Sequence, residues 1–409
     1  MSRVSVTPET FGREVFGPIF GEFCLRLWSL ASLLQRPEEV ALLFCARGGL
    51  RMQFAYERFL QALSLPSSVH IAPLMVSRLA AIRSALMRTV DEQLPSLVPA
   101  AAGTLSYEMP HASLSEVALA MTGVAPDPAG DLWDAPFTPP GFARLLCHSD
   151  SRAVREVLAE QADLFVRHLR NQLGGRPRAL VVDTGLFGTT AHLLADAQPD
   201  LEFSSVLIAR SNYRGEPTPW PSKVLGLSVQ VDGYSPLQRR TAILRHWHFT
   251  EALFEPALPS VRSFSAEQGR PRSNLEVEGW QERLPPTPGT VYAGVVSYLE
   301  ELSPGAAAQI LLDADLAWSR FHRAVVWPDR SHGYALRTGV RSFDFGSDVT
   351  FTERPWRGPI AALRGSTIWR EGEIARSGSW LRLPLLAGIE AAYGARHVKR
   401  AISGRRSPR

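Results

Sequence analysis

One stretch, ALVVDTGLFGTTAHLLA at residues 179–195, constrains this chain more than any other. An apolar run ends at Asp183. Gly185 and Gly188 follow, then Thr189, Thr190 and an apolar-rich helical pattern from Ala191. A strand that breaks into a Gly/Thr loop and re-forms as a helix makes an anion site. The first N–H groups of a helix have no internal partner and lie at the positive end of its dipole. Thr189 and Thr190 add hydroxyl donors, and Gly188 lets a phosphate come close to the backbone. Asp183, at the carboxyl end of the strand, stands where ligands bind in open α/β sheets. The expectation is a loop that holds a phosphate-bearing ligand. The competing reading is a tight strand-to-helix turn whose glycines serve only packing.

The flanking sequence places this loop in an alternating series. A helix is expected over 17–35, then a short apolar strand at 40–44, a helix at 52–63 and a second strand at 69–76. An amphipathic helix at 151–173 stops at Gly174-Gly175 and feeds the strand at 179–182, and another strand follows at 201–209. This pattern favours an α/β fold with a Rossmann-like parallel sheet. Residues 15–80 and 150–215 form that core within a unit spanning 1–215. Residues 80–150 are a mostly helical insert, with a Pro/Asp loop at 124–140. Residues 216–409 form an irregular α+β region that covers or completes the site. Within it, 255–290 read as a long loop, 290–302 and 306–326 as helices, 335–382 as irregular, and 383–402 as a closing helix. Residues 1–14 read as an extended lead-in, and the basic tail at 396–409 as disordered.

The totals exclude several classes. With 45% hydrophobic and 21% charged residues, the chain has enough apolar surface for a full core. The formal net charge of +4 does not by itself imply nucleic acid. Cys24, Cys45 and Cys147 are too few and too scattered for a disulfide framework or a metal knuckle. No signal-peptide core and no run of about 18 apolar residues occurs, so a cytoplasmic protein without a membrane span is expected.

A second loop carries chemistry. Residues 45–51, CARGGLR, follow the first strand. In one reading Arg47, Gly48 and Gly49 form an anion-binding turn, with backbone N–H groups and a guanidinium fork. In the other, Cys45 and Arg51 fit the CxxGxxR spacing of cysteine-dependent phosphatases, in which a thiolate attacks phosphorus. Ser77-Arg78 ends the second strand and should face the same sheet edge, which makes Arg78 a third phosphate contact; Arg210 is a weaker candidate by the same logic. His246, Trp247 and His248 have no acid or cysteine at a metal-closing spacing and read as packing or surface residues. Glu251 and Glu255, four apart on an expected helix, could face the cleft, but an ordinary polar face is the favoured reading. Asp313 and Asp315 fall on different helix faces, and Asp344-Phe345-Gly346 is a chance kinase-like tripeptide.

Two resemblances follow from these motifs. Ala46-Arg47-Gly48-Gly49 looks like the pyrophosphate loop of type I phosphoribosyltransferases, and VVDTGLFGTT at 181–190 looks like their ribose-phosphate loop. Only one acid, Asp183, stands where that family has two. The resemblance implies that Arg47, Gly48 and Gly49 hold a pyrophosphate, that Asp183 holds ribose hydroxyls or Mg2+, and that Gly185, Gly188, Thr189 and Thr190 hold the 5-phosphate. A second likeness runs over about residues 11–260, through LLFCARGGL, MVSRLAAI and the WHFTEALFEP segment. It is similar to a bacterial module that follows a haloacid-dehalogenase-like domain in polysaccharide-locus proteins. Together they imply a phosphorylated sugar or nucleotide as ligand, a transferase-like activity and partners in glycan assembly. The alternatives are a cysteine phosphatase and a non-catalytic phosphosugar-binding or scaffold module.

Overall fold

The computed structural model describes residues 6–87, 97–124, 126, 132–212, 220–277, 279–336, 341–343, 349–351 and 368–404. Five strands form one sheet: β1 (Val40–Cys45), β2 (His70–Leu74), β3 (Arg178–Val182), β4 (Glu202–Arg210) and β5 (Val224–Gln230). Their order is β2-β1-β3-β4-β5, and every neighbouring pair is parallel. All six residues of β1 are buried, as a strand covered on both faces requires. The expected α/β class with a parallel sheet is therefore present. The fifth strand lies at 224–230, beyond the boundary expected at residue 215. Its glycine-interrupted sequence, VLGLSVQ, gave no clean apolar run.

In chain order the helices are α1 (Pro8–Phe11), α2 (Gly17–Ser32), α3 (Gly48–Ala62), α4 (Arg78–Met87), α5 (Pro99–Glu108), α6 (Leu114–Thr122), α7 (Pro139–Leu146), α8 (Arg152–Leu173) and α9 (Thr189–Ala197). After β5 come α10 (Ala242–Arg245), α11 (His248–Phe254), α12 (Asn274–Val277), α13 (Val291–Glu300), α14 (Ala307–Val326), α15 (Arg330–Ala335), α16 (Arg370–Arg376) and α17 (Arg382–Gly404). The lead-in expected to be extended is helical from Pro8, where Thr7 and Thr10 form a reciprocal capping pair. The stretch expected as a long loop carries the antiparallel hairpin β6 (Phe264–Glu267) and β7 (Arg270–Ser273). A short antiparallel pair, β8 (Arg341–Phe343) and β9 (Val349–Phe351), falls in the stretch read as irregular. The Asp344-Phe345-Gly346 tripeptide, residues 125 and 127–131 of the 124–140 loop, and the last five residues lie outside the described residues.

Strand alternation sorts the core into two layers. Ala41, Leu43, Ala179, Val181, Phe203 and Leu207 face a layer shared with α4, α8 and α9. Leu42, Phe44, Leu180, Val182, Val206 and Ile208 face the other, shared with α2, α3, α13 and α14. The chain thus winds through α3 on one face and through α8 and α9 on the other. The described residues between 80 and 150 are mostly helical, in α4 to α7, and pack on the α8 side.

One buried contact fixes the end of β2. The Met75 N–H donates to His168 Nε2 on α8 at 3.1 Å, so that nitrogen is unprotonated. Burial pushes the His168 pKa down to about 4, although Glu276 pulls the other way. Below about pH 6.5 the unfolded chain then binds a proton that the native chain refuses, so stability falls as pH falls. The loss is about 1.4 kcal/mol per pH unit, and roughly 3 kcal/mol by pH 4. His246, also held neutral by burial, adds a slope of the same sign. In urea titrations between pH 7 and pH 4.5, His168→Gln should flatten the pH dependence while keeping an acceptor for Met75. An unchanged slope would show that His168 takes up its proton equally in the native and unfolded states.

Candidate functional site

The strand order creates the site. From β1 the chain turns left into α3 on one face, and from β3 it turns right into α9 on the other. Such a switch point leaves a crevice beyond the carboxyl ends of the strands. A cavity of about 590 Å3 opens there. Cys45, Ala46, Arg47 and Gly48 line it, as do Ser77, Arg78 and every residue from Asp183 to Thr190. The three expected loops converge on one cleft. The rest of the chain completes its wall: Tyr107 and Glu108 from the insert, and Trp247, Glu251, Glu255, Ser260 and Val261 from beyond the sheet.

The glycines have specific steric reasons. Helix α3 begins at Gly48, earlier than the expected start at Met52, so both glycines sit in its first turn. A Cβ on Gly48 would lie 2.6 Å from Thr184 Cγ2, and one on Gly49 would lie 3.2 Å from the Val182 carbonyl. These residues let the start of α3 press against β3 and its loop. Gly188 has φ 72° and caps α9 from the left-handed region. Neither α3 nor α9 has a side-chain N-cap; Arg47 and Gly188 occupy the cap positions. No side chain caps the first-turn N–H groups of either helix, although the Leu50 N–H bonds back to the Arg47 carbonyl at 3.1 Å; Gly48, Thr189 and Thr190 border the cleft. The Ser77 hydroxyl donates to the Val261 carbonyl at 2.6 Å and accepts from the Ala80 N–H at 3.2 Å, so it serves structure.

Arg47 adopts φ 64°, ψ −99°, a conformation that L-residues avoid. Strain of this kind persists where surrounding contacts hold it, often at functional sites. Here the guanidinium pairs with Glu255 at 2.8 Å. Arg78 pairs with Glu108 across the cleft. The wall carries two arginines against four carboxylates, Glu108, Asp183, Glu251 and Glu255. Asp183 lies at the floor. Removal from bulk water raises its pKa, against the lowering effects of the Thr184 and Gly185 N–H groups and of Arg78. The Thr184 N–H donates to Asp183 Oδ1 at 2.7 Å. Among the described residues no group of three or more His, Cys, Asp or Glu is arranged to hold a metal ion. A divalent cation here would have Asp183 as its protein ligand and would need oxygens from the bound molecule.

Other expected residues fall elsewhere. Cys45 borders the cleft, but its thiol is buried, and burial with the nearby Asp183 charge raises its pKa well above the ordinary value. A nucleophilic thiolate needs the opposite environment. Arg51 lies outside the cleft lining, where its guanidinium donates to the carbonyls of Glu255 and Arg283. The CxxGxxR constellation is therefore not assembled. Arg210 pairs with Asp232 and does not line the cleft. His246 and His248 are core residues, as expected. Asp313 and Asp315 have separate partners, Tyr298 and Arg240.

Glu251 and Glu255, expected as an ordinary polar face, instead line the cleft. With Trp247 they recur every fourth position, which puts all three on one side of α11 and its flanks. That spacing was the available signal. Glu108 and Tyr107 left none, because only the fold of the insert brings them over the β2 loop. No protein-family model matches this chain, and no curated protein matches it.

Proposed function

We propose that the cleft binds a phosphorylated sugar or nucleotide and supports a transferase-like reaction at the sugar. One observation carries this reading: two uncapped helix N-termini and Arg47 meet at the crevice between β1 and β3. The phosphate would take the first-turn N–H groups of α9 with Thr189 and Thr190. A second phosphate or pyrophosphate would take Arg47, Gly48 and Arg78. The excess of carboxylates suits the other half of such a ligand, since carboxylates accept hydrogen bonds from sugar hydroxyls. Asp183 at the floor would hold those hydroxyls, or Mg2+ shared with phosphate oxygens. In a transferase reaction, electrostatic stabilisation of the departing pyrophosphate would come from Arg47 and the helix ends. A link to surface-polysaccharide synthesis belongs to the same proposal and rests on sequence resemblance alone.

Calorimetric titration with phosphoribosyl pyrophosphate and ribose 5-phosphate, with and without Mg2+, tests this. Loss of a charge-assisted phosphate contact costs about 1.5–3 kcal/mol, so Arg47→Met should weaken binding by about 10- to 100-fold. Asp183→Asn should remove any Mg2+ dependence, and Cys45→Ser should bind as the wild type does. If no phosphorylated sugar, nucleotide or pyrophosphate binds or raises the melting temperature, the phosphate site is wrong. Phosphatase activity that disappears in Cys45→Ser would restore the cysteine reading instead.

A further inference from the structure

A second cavity, of about 330 Å3, lies on the far side of α11 from the cleft. Glu251 faces the first cavity, whereas Phe249, Ala252 and Leu253 face the second. Its wall is mainly apolar, with Phe16, Tyr292 and Leu336 opposite α11, and it includes Arg51. Arg51 is the one charged side chain among the described residues of that wall. Its Nη1 and Nη2 groups donate to the Glu255 and Arg283 carbonyls at 3.2 and 3.4 Å, its Nε–H is buried without a partner, and the Tyr292 ring lies 4.7 Å from the guanidinium carbon. Among the described residues no carboxylate pairs with it. Arg83 and Arg176 are likewise held by main-chain carbonyls, but neither lines this cavity or the cleft, whereas Arg47, Arg210 and Arg240 each have a carboxylate. Burying a cation without a counter-ion is costly, so an arginine held this way beside an apolar cavity is a recognition group.

We propose that this cavity is a binding site for a small carboxylate with an aromatic or branched apolar body, its carboxylate on Arg51 and its body among Phe249, Leu253 and Leu336. A carboxylate fits better than a phosphate dianion. Main-chain carbonyls already take two of the guanidinium groups, and the remaining wall is too apolar to satisfy a second charge. The site is separate from the phosphate cleft and stands or falls independently of it.

Saturation-transfer NMR and calorimetric titration of the full chain with phenylacetate, 2-phenylethanol and inorganic phosphate test it. Phenylacetate should bind saturably. The alcohol, which has the same ring and no charge, should bind at least about ten-fold more weakly, and phosphate should not displace phenylacetate. Arg51→Met should weaken phenylacetate by about ten-fold or more. Ala252→Phe, which fills the cavity and leaves Arg51 intact, should abolish binding even if Arg51→Met folds poorly. The proposal is overturned if phenylacetate shows no saturable binding, if acid and alcohol bind equally, if phosphate competes, or if Ala252→Phe binds as the wild type does.

Discussion

Replacing Arg245 with methionine should cost about 3–5 kcal/mol of stability, among the largest effects expected of any single substitution in this chain. The guanidinium, 6% exposed, is paired with Glu371 of α16, 3% exposed, and with Glu390 of α17, 11% exposed. Tyr393 lies 3.9 Å from its central carbon, and the Tyr234 hydroxyl donates to Glu390 Oε2 at 2.5 Å. Removing the cation leaves two carboxylates in a site from which water is excluded, and that penalty exceeds the worth of the ion pairs themselves. The triple variant Arg245→Met, Glu371→Gln, Glu390→Gln should therefore recover much of the loss, because it leaves no unpaired charge behind. Urea unfolding of the wild type, single and triple variants measures both effects. A single-variant cost under about 1 kcal/mol would show that the carboxylates find water or other donors. The pair matters to function by position. Arg245 ends α10, and the next turns carry Trp247, Glu251 and Glu255 into the cleft. Ligand affinity in the single variant should fall with this anchor, even though Arg245 itself does not line the cavity.

The sheet was legible wherever strands were buried on both faces. VALLF at 40–44 and ALVV at 179–182 are continuous apolar runs, and β1 and β3 contain them. β5 was not legible, because Gly226 and Ser228 break its apolar run and it lies at the sheet edge beside β4. Loop chemistry was legible at the carboxyl ends of strands, where Arg47, Arg78 and Asp183 do meet. It failed where distant segments supply the counter-charges. Glu108 reaches Arg78 only through the packing of the insert, and Glu255 reaches Arg47 only through the return of the chain after β5. Local spacing cannot encode such pairings, so an apparent anion site proved to be a mixed-charge cleft. The CxxGxxR match failed for a related reason. Once α3 begins at Gly48, Arg51 points with its helix toward Tyr292 and away from Cys45. A spacing pattern carries no helix start, and the start decided which way the arginine faced.

Gly188 and Gly185 share one loop, and substitution should separate them sharply. Gly188→Ala should cost about 2–5 kcal/mol from two sources. A side chain at φ 72° adds roughly 1–2 kcal/mol of left-handed strain. The new Cβ would also lie 2.7 Å from Ser205 Cβ and 3.2 Å from Val224 Cγ2, and overpacking of this kind costs about 1–3 kcal/mol. Ser205 is fully buried on β4, and its Cβ cannot rotate away. Gly185 has no positive φ, and its nearest neighbour to a new Cβ is Asp183 Oδ2 at 3.7 Å, so Gly185→Ala should stay within about 1 kcal/mol. Combining Gly188→Ala with Ser205→Gly divides the two sources. The double variant removes the overlap with Ser205 but keeps the 3.2 Å approach to Val224 Cγ2 and the backbone strain, so urea midpoints should recover only part of the deficit relative to Ser205→Gly alone. Full recovery would mean that the left-handed conformation is not needed at the start of α9. No recovery would mean that β4 moves aside for the alanine. If the cleft takes a phosphate as proposed, its binding should follow the strain and not the overlap, because Gly188 and the first residues of α9 line the cleft.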